Sequence, residues 1–343
     1  MPDEKQRLIC NLWHIKQTNG LYYYALDYVR AIGLPTAVYV RPALLDATRA
    51  ALPGHHVRAT GTGGIFRTLC LALLRSEQVF TPTSHPMPLH RHQLVIVHDD
   101  FPFLGRGGRL KRLLFHAGLQ SSGCEVGHIN HPTSLDALYG IPIRPLRLRY
   151  MPNSAPDTAV ANALRAARAL PRPPRTGRLR IALFGSDSPK KRYESLFDAI
   201  RTRRPDLYQF EVYGHANDYF HGLQRQFPDL DIRLAASAEI DLSTFLGSID
   251  AVVSVASHEG FGRLIALALA TGIPSFLLYS PVFAEFFSRS TPLYADIDTL
   301  VHALDRFEPA QASPTGFSEQ TDLEQAFQTA SRHLRNLAER HAA

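Results

Sequence analysis

The chain has little lysine. Of its 37 basic residues only Lys5, Lys16, Lys111, Lys190 and Lys191 are lysines, so arginine carries the charge, and against 31 acidic residues the formal balance is +6. Such a bias has two readings: a GC-rich genome, or an anionic partner such as nucleic acid, phosphate or a membrane surface. Cysteine is also scarce. Cys10, Cys70 and Cys124 show no short spacing, which excludes a disulfide framework and a cysteine zinc site and points to a reducing compartment. No apolar run approaches the roughly 20 residues of a membrane span. Met1 to Lys5 are polar and lead into an apolar run with no small-residue cleavage site, so no secretory signal is expected. The expected location is the cytoplasm, with room for peripheral attachment to the inner face of the cell membrane.

What is present is ordinary globular material. Hydrophobic residues make up 45% and charged residues 20%, which excludes disordered, collagenous and coiled-coil chains. At about 100–150 residues per domain, 343 residues favour two domains.

Strand and helix signals alternate. Leu8–Trp13 reads as a strand, and Gly20 opens a helical pattern from Leu21 to Ile32 that stops at Gly33. Thr36–Val40, Val57–Thr60, Gln78–Thr81, Leu94–His98, Glu125–Ile129 and Leu146–Tyr150 read as strands; Leu44–Ala51, Ile65–Leu74 and Leu110–Leu119 read as helices. Parallel strands need a crossover, which a helix supplies, so this order predicts a parallel, doubly wound sheet. Ligands of such sheets bind beyond the carboxyl ends of the strands, which selects the loops at 18–20 and 98–100.

Residues 155–178 are rich in alanine, proline and arginine, with Pro171, Pro173 and Pro174 near the end, and read as an extended linker. A second alternation follows. Its strands are Leu179–Phe184, Gln209–Tyr213, Ile232–Leu234, Ala251–Val255 and Ser275–Leu278, and its helices are Tyr193–Ile200, Tyr219–Gln226, Asp241–Leu246 and Leu264–Thr271. A polar helix from Thr321 to Arg340 closes the chain, with Leu323, Ala326, Phe327, Ala330, Leu334 and Leu337 along one face. The expected domains are 1–170 (linker about 155–178) and 171–320, followed by a C-terminal helix at 321–343.

The sharpest motif is Ser257-His258-Glu259-Gly260-Phe261-Gly262-Arg263, set between a strand and a helix. Glycines at such a turn let the backbone approach a ligand, and helix-start N–H groups favour an anion. Glu259 would repel a phosphate there, which leaves it as an acceptor for sugar hydroxyls or as a solvent-exposed turn acid.

This motif, with Thr271-Gly272-Ile273-Pro274 and Pro281-Val282-Phe283-Ala284-Glu285, resembles the donor-site signature of retaining GT-B glycosyltransferases of the family 4 type. The likeness extends through Ile181–Gly185, Lys191, Glu211–Gly214 and Asp241–Ala251; in the first half it rests on Gly20 and on Val97-His98-Asp99. The resemblance implies two Rossmann-like domains facing a cleft, and transfer of a hexose-type sugar from a UDP- or GDP-linked donor to a saccharide or lipid-linked acceptor. It implies no resident cofactor and no metal. Glu259 would bind the donor sugar, Gly260, Phe261, Gly262 and Arg263 would face sugar and diphosphate, and Lys191 would neutralise the diphosphate with Lys190 beside it. Gly185, Gly214 and Glu285 complete the donor side, Gly20 would close from the first domain, and His98 would line the sugar's reactive face.

Two positions depart from that pattern. Leu267 stands where the family places a second glutamate for the ribose, and Ser186 follows Gly185 where an arginine is usual, with Lys190 as a substitute. A catalytically inactive paralogue that binds nucleotide or glycan is therefore the alternative.

His98 ends an apolar strand beside Asp99 and Asp100. It reads as a hydroxyl partner or proton carrier, or as a structural cap; the two aspartates are second choices for an acceptor-side base. His85, His90 and His92 share a proline-containing loop without metal-ligand spacing, which suits a surface or acceptor-contacting loop. In 106–119, Leu110, Leu113, Leu114 and Ala117 recur at helical spacing among Arg109, Lys111, Arg112 and His116. That pattern fits an anionic membrane surface, or a sheet-packing helix with a solvated face. Nucleic acid is not an expected partner, since no recognition motif is present.

Overall fold

A computed structural model describes residues 8–98, 107–121, 124–130, 147–169, 177–186, 189–257, 259–309 and 316–340. The chain divides into two compact units, residues 1–154 with 322–343, and residues 155–321.

In unit 1, the strands are β1 (Leu8–Asn11), β2 (Ala37–Val40), β3 (His56–Ala59), β4 (Gln78–Thr81), β5 (Gln93–Val97), β6 (Glu125–His128) and β7 (Leu148–Tyr150). They form one parallel sheet in the order β3-β2-β1-β4-β5-β6-β7. Its helices are α1 (Gly20–Ile32), α2 (Leu45–Ala51), α3 (Thr62–Leu74) and α4 (Gly108–Ser121). The Asn19 side chain caps α1 by accepting from Tyr22 N, and Gly33 ends it at φ 64°, where a side chain would be strained. The buried face of α1 carries Tyr24 and Tyr28, whose hydroxyls donate to the carbonyls of Met151 and Pro152 at 2.9 and 2.8 Å. Two large rings are thus buried with their polar ends satisfied.

The sheet has two differently packed faces. On one, α1 covers Cys10, Phe80, Leu94 and Ile96. On the other, α3 packs Ala72 on Ile9 and Val79, while α4 packs Phe115 and Leu119 on Val95 and Val97. Of the two readings of this stretch, sheet packing through its leucines is not what is found: Leu110, Leu113 and Leu114 point outward, 59%, 63% and 61% exposed. Val95 and Val97 take the face that carries Phe115 instead.

In unit 2, the strands are β8 (Leu179–Phe184), β9 (Tyr208–Gly214), β10 (Asp231–Ala236), β11 (Ala251–Ser254), β12 (Ser275–Leu278) and β13 (Leu293–Tyr294). They form a second parallel sheet in the order β10-β9-β8-β11-β12-β13. The segment read as a linker holds the helix α5 (Thr158–Ala169), which buries Ala161 and Leu164. It is followed by α6 (Tyr193–Arg201), α7 (Asp218–Gln226), α8 (Leu242–Ser248), α9 (Arg263–Ala270), α10 (Pro281–Phe287) and α11 (Ile297–Asp305). Arg165 donates to Ala270 O, and Arg168 to Leu246 O and Ile249 O, which ties α5 to the ends of α9 and α8. The Pro171–Arg175 stretch lies outside the described residues.

The last helix, α12 (Gln320–Arg340), belongs mostly to unit 1. Ala330, Leu334, Leu337 and Ala338 enter the α1 core, and Phe327 lies 4.7 Å from the ring of Tyr28. His333 Nε2 meets Glu125 at 2.6 Å, and Arg149 Nε donates to the same carboxylate at 3.1 Å. Burial opposes the charge on Glu125, but these two neighbours hold its pKa below the usual carboxylate range.

Candidate functional site

At the carboxyl edge of the unit 2 sheet, three loops converge. Gly185 leaves β8 at φ 86°, with its N–H donating to Tyr213 O. Ser186, buried, then joins β8 to β9: its hydroxyl donates to His215 O and accepts from His215 N and Asn217 Nδ2. A Cβ on Gly214 would lie 2.5 Å from the Ser186 Oγ, so the two positions are matched and leave no room for a long side chain at 186.

The β8–α6 loop is fastened to the β11–α9 loop. Ser257 N donates to Lys190 O at 3.0 Å, and the Lys191 ammonium pairs with the Glu259 carboxylate, each side chain 15% exposed. Burial pushes the Glu259 carboxyl up, but Lys191 and Lys190 outweigh it and hold the group below its ordinary pKa. Sequence reasoning gave these residues separate tasks. The structure joins them into one ion pair.

Gly262 starts α9 at φ 89° with no side-chain cap and no acidic residue in the first turn. That helix start is suited to an anion by its N–H groups and dipole. The turn is set by Phe261, buried edge-on against Phe286 at 4.9 Å. Gly260 and Arg263 flank it, and Glu285 lies half-buried on α10 beside Phe286. Leu267 is half-buried on α9.

Unit 1 holds the remaining candidates. Gly20 is the first residue of α1, with open space where a Cβ would stand. His98 follows β5; its Nε2 lies 3.0 Å from Pro82 O and its ring sits edge-on to Tyr24 at 4.5 Å. A carbonyl only accepts, so in this contact Nε2 carries a proton and donates. Asp99 and Asp100 lie outside the described residues. Among the described residues, no group of three or more His, Cys, Asp or Glu is placed to hold a metal ion, and no helix is long and apolar enough to cross a membrane.

Two parallel, doubly wound sheets and a C-terminal helix are the GT-B fold. Among solved structures, the chain is similar to Anabaena Alr3699/HepE in complex with UDP and glucose, at 15% identity over 96% of this chain and 98% of that one, TM-score 0.68. It is similar to WaaG, a glycosyltransferase involved in lipopolysaccharide biosynthesis, at 14% identity over 98% of each chain, TM-score 0.63. It is also similar to sucrose-phosphate synthase from Thermosynechococcus elongatus, at 15% identity over 98% of each chain, TM-score 0.64. At these identities the likeness is one of fold. No family model matches the chain, and no curated protein sequence does.

Proposed function

We propose that the protein is a glycosyltransferase that moves a hexose-type sugar from a nucleoside-diphosphate sugar to a saccharide or lipid-linked acceptor, with retention at the anomeric carbon. The observation that carries this reading is the Lys191–Glu259 pair beside the uncapped start of α9. In this reading the cation meets the diphosphate and the carboxylate meets a sugar hydroxyl. Support also comes from Anabaena Alr3699/HepE, of the same fold, solved in complex with UDP-glucose.

In this reading the acceptor hydroxyl oxygen bonds to the anomeric carbon while the bond from that carbon to the diphosphate oxygen breaks. The acceptor proton passes to the leaving phosphate. Lys191, Lys190 and the amides after Gly262 meet the growing negative charge, so no metal and no resident cofactor take part. Glu259 orients the sugar through its hydroxyls. Replacing Glu259 with Ala is expected to abolish transfer from UDP- and GDP-hexoses in a chain that still folds, with the unit 2 transition lowered by several degrees as the Lys191 ammonium loses its partner; full activity in that variant would sink the assignment. Nucleotide binding by the parent chain with neither transfer nor donor hydrolysis would instead favour the inactive-paralogue reading that Leu267 raises.

We further propose that unit 1 docks on the inner face of the cell membrane in the cytoplasm, as part of envelope polysaccharide or glycolipid synthesis. The exposed leucines of α4 have company on the same sheet face, where α3 exposes Phe66 and Leu74. Stretches 57–76 and 101–124 contain no acidic residue, while Arg67, Arg75, Arg109, Lys111 and Arg112 supply positive charge.

A further inference from the structure

Besides His98, the carboxyl edge of unit 1 carries a cluster that spans four strands. Trp13, past the end of β1, reaches over β2 and donates its indole N–H to Thr60 O beyond β3 at 3.1 Å. His14 reaches toward β4, where its ring stacks on His85 at 3.8 Å and 7°. Arg41, the first residue after β2, lies with Cζ 4.4 Å over the Trp13 ring and donates Nε to Trp13 O at 2.9 Å. Its stem is therefore fixed while, among the described residues, its two terminal amino groups make no hydrogen bond or ion pair. The Lys111 charge of α4 also acts on His85, and no carboxylate among the described residues pairs with Arg41 or Lys111.

We propose that Arg41, His14 and His85 form a subsite for a phosphate-class group carried by the acceptor. The choice of the acceptor as carrier rests on the reading of unit 1 as the acceptor side. A planar guanidinium fork held by its Nε and its ring face is preorganised for two parallel bonds to an oxyanion. Burial, His85 and Arg41 push the His14 imidazole down to about 3, and burial and Lys111 lower His85, so the cations beside the two rings favour their neutral form. An arriving oxyanion supplies the missing charge. Parallel rings 3.8 Å apart do not aim their nitrogens at one point, which disfavours a metal.

The test uses the full-length chain with isotope-labelled histidine, titrated with inorganic phosphate at pH 8 and constant ionic strength. His14 and His85 resonances, assigned through His14→Gln and His85→Gln, are expected to move along a saturating curve. Arg41→Gln should weaken that curve about tenfold or more, and Arg41→Lys should recover only part of it, while an unmoved His98 resonance reports that unit 1 is folded. Lys191→Gln should leave the curve as it was, separating this site from any diphosphate site in unit 2. A linear, unsaturable drift, or an identical curve in Arg41→Gln, would overturn the subsite. Glycerol 3-phosphate and glucose 6-phosphate then name the carrier: tighter binding of the first supports a lipid headgroup, and of the second a phosphosaccharide. UDP moving the two resonances in the Lys191→Gln protein would overturn the acceptor assignment. Saturable phosphate binding in a chain that transfers no sugar would leave the anion subsite standing and the transferase reading refuted.

Discussion

Replacing Lys191 with alanine isolates the contact on which the unit 2 site is built. Both side chains of the Lys191–Glu259 pair are 15% exposed, so the variant leaves a largely desolvated carboxylate without its main counter-ion. Removing one partner of a buried pair costs about 3–5 kcal/mol, and residual water access with Lys190 still nearby brings that to about 2–3 kcal/mol. At roughly 2–4 °C per kcal/mol for a unit of this size, the unit 2 transition should fall by about 4–12 °C near pH 7.5.

The pH dependence fixes the cause. In the parent chain Glu259 lies below its ordinary pKa, so its stabilisation is complete above the unfolded value of about 4.3 and is lost as pH falls through the folded value. In the variant, burial acts with less opposition and the folded value rises. The gap between the two proteins is therefore wide at pH 7.5 and narrows toward pH 4, where the carboxyl takes up its proton. Scanning calorimetry of the full chain measures both, and Glu259→Gln added to Lys191→Ala should restore most of the loss. An equal gap at the two pH values, or single and double variants that add within about 0.5 kcal/mol, would refute the reasoning.

Gly214→Ala forces a Cβ to 2.5 Å from the Ser186 Oγ and 3.1 Å from the Ser186 backbone N, and should lower the unit 2 transition by about 1–3 kcal/mol, with partial recovery in Ser186→Gly. Leu334→Ala, at a fully buried position, should cost about 2–5 kcal/mol and appear in the transition of unit 1, although residue 334 follows all of unit 2 in the chain. Changing Leu110, Leu113 and Leu114 together to Ser should leave the melting temperature within a degree or two and abolish sedimentation with anionic vesicles; unchanged sedimentation would remove α4 from the docking surface.

The alternation of strands and helices was legible because parallel strands buried on both faces leave unbroken apolar runs, as at Leu94–Val97, and their crossover helices leave a 3.6-residue period. The strand-to-helix turn at 257–263 was legible for a related reason: Gly260 and Gly262 punctuate it. Other features were hidden by the scale at which composition averages. Residues 155–178 average to a proline-rich segment, yet the described prolines Pro152 and Pro156 precede α5, whose interior is largely alanine and arginine, both strong helix formers. Helices α10 and α11 went unread because α10 is apolar almost throughout, which masks its period, and α11 is announced mainly by its Asp296 cap. The return of α12 to unit 1 has no local signal at all. Its apolar face fits any complementary surface, and only the Tyr28, Glu125 and Arg149 groups that receive it settle which.

The shortage of lysine acquires a structural component at the same time. Arg165 and Arg168 cap the carbonyl ends of α9 and α8, Arg30 donates through Nε and Nη2 to Ala51 O at the end of α2, and Arg41 holds Trp13 O. In each case a guanidinium meets backbone carbonyls, three of them at helix ends where the dipole favours a cation. A flexible ammonium offers a point charge, whereas the fixed fork of arginine offers directed donors that can hold two atoms at once. Genome composition supplies arginines without regard to position. Selection for this geometry explains why these four sit where an unsatisfied carbonyl awaits them, and it leaves Lys190 and Lys191, two of only five lysines, at the turn where a mobile point charge beside Glu259 serves better than a fork.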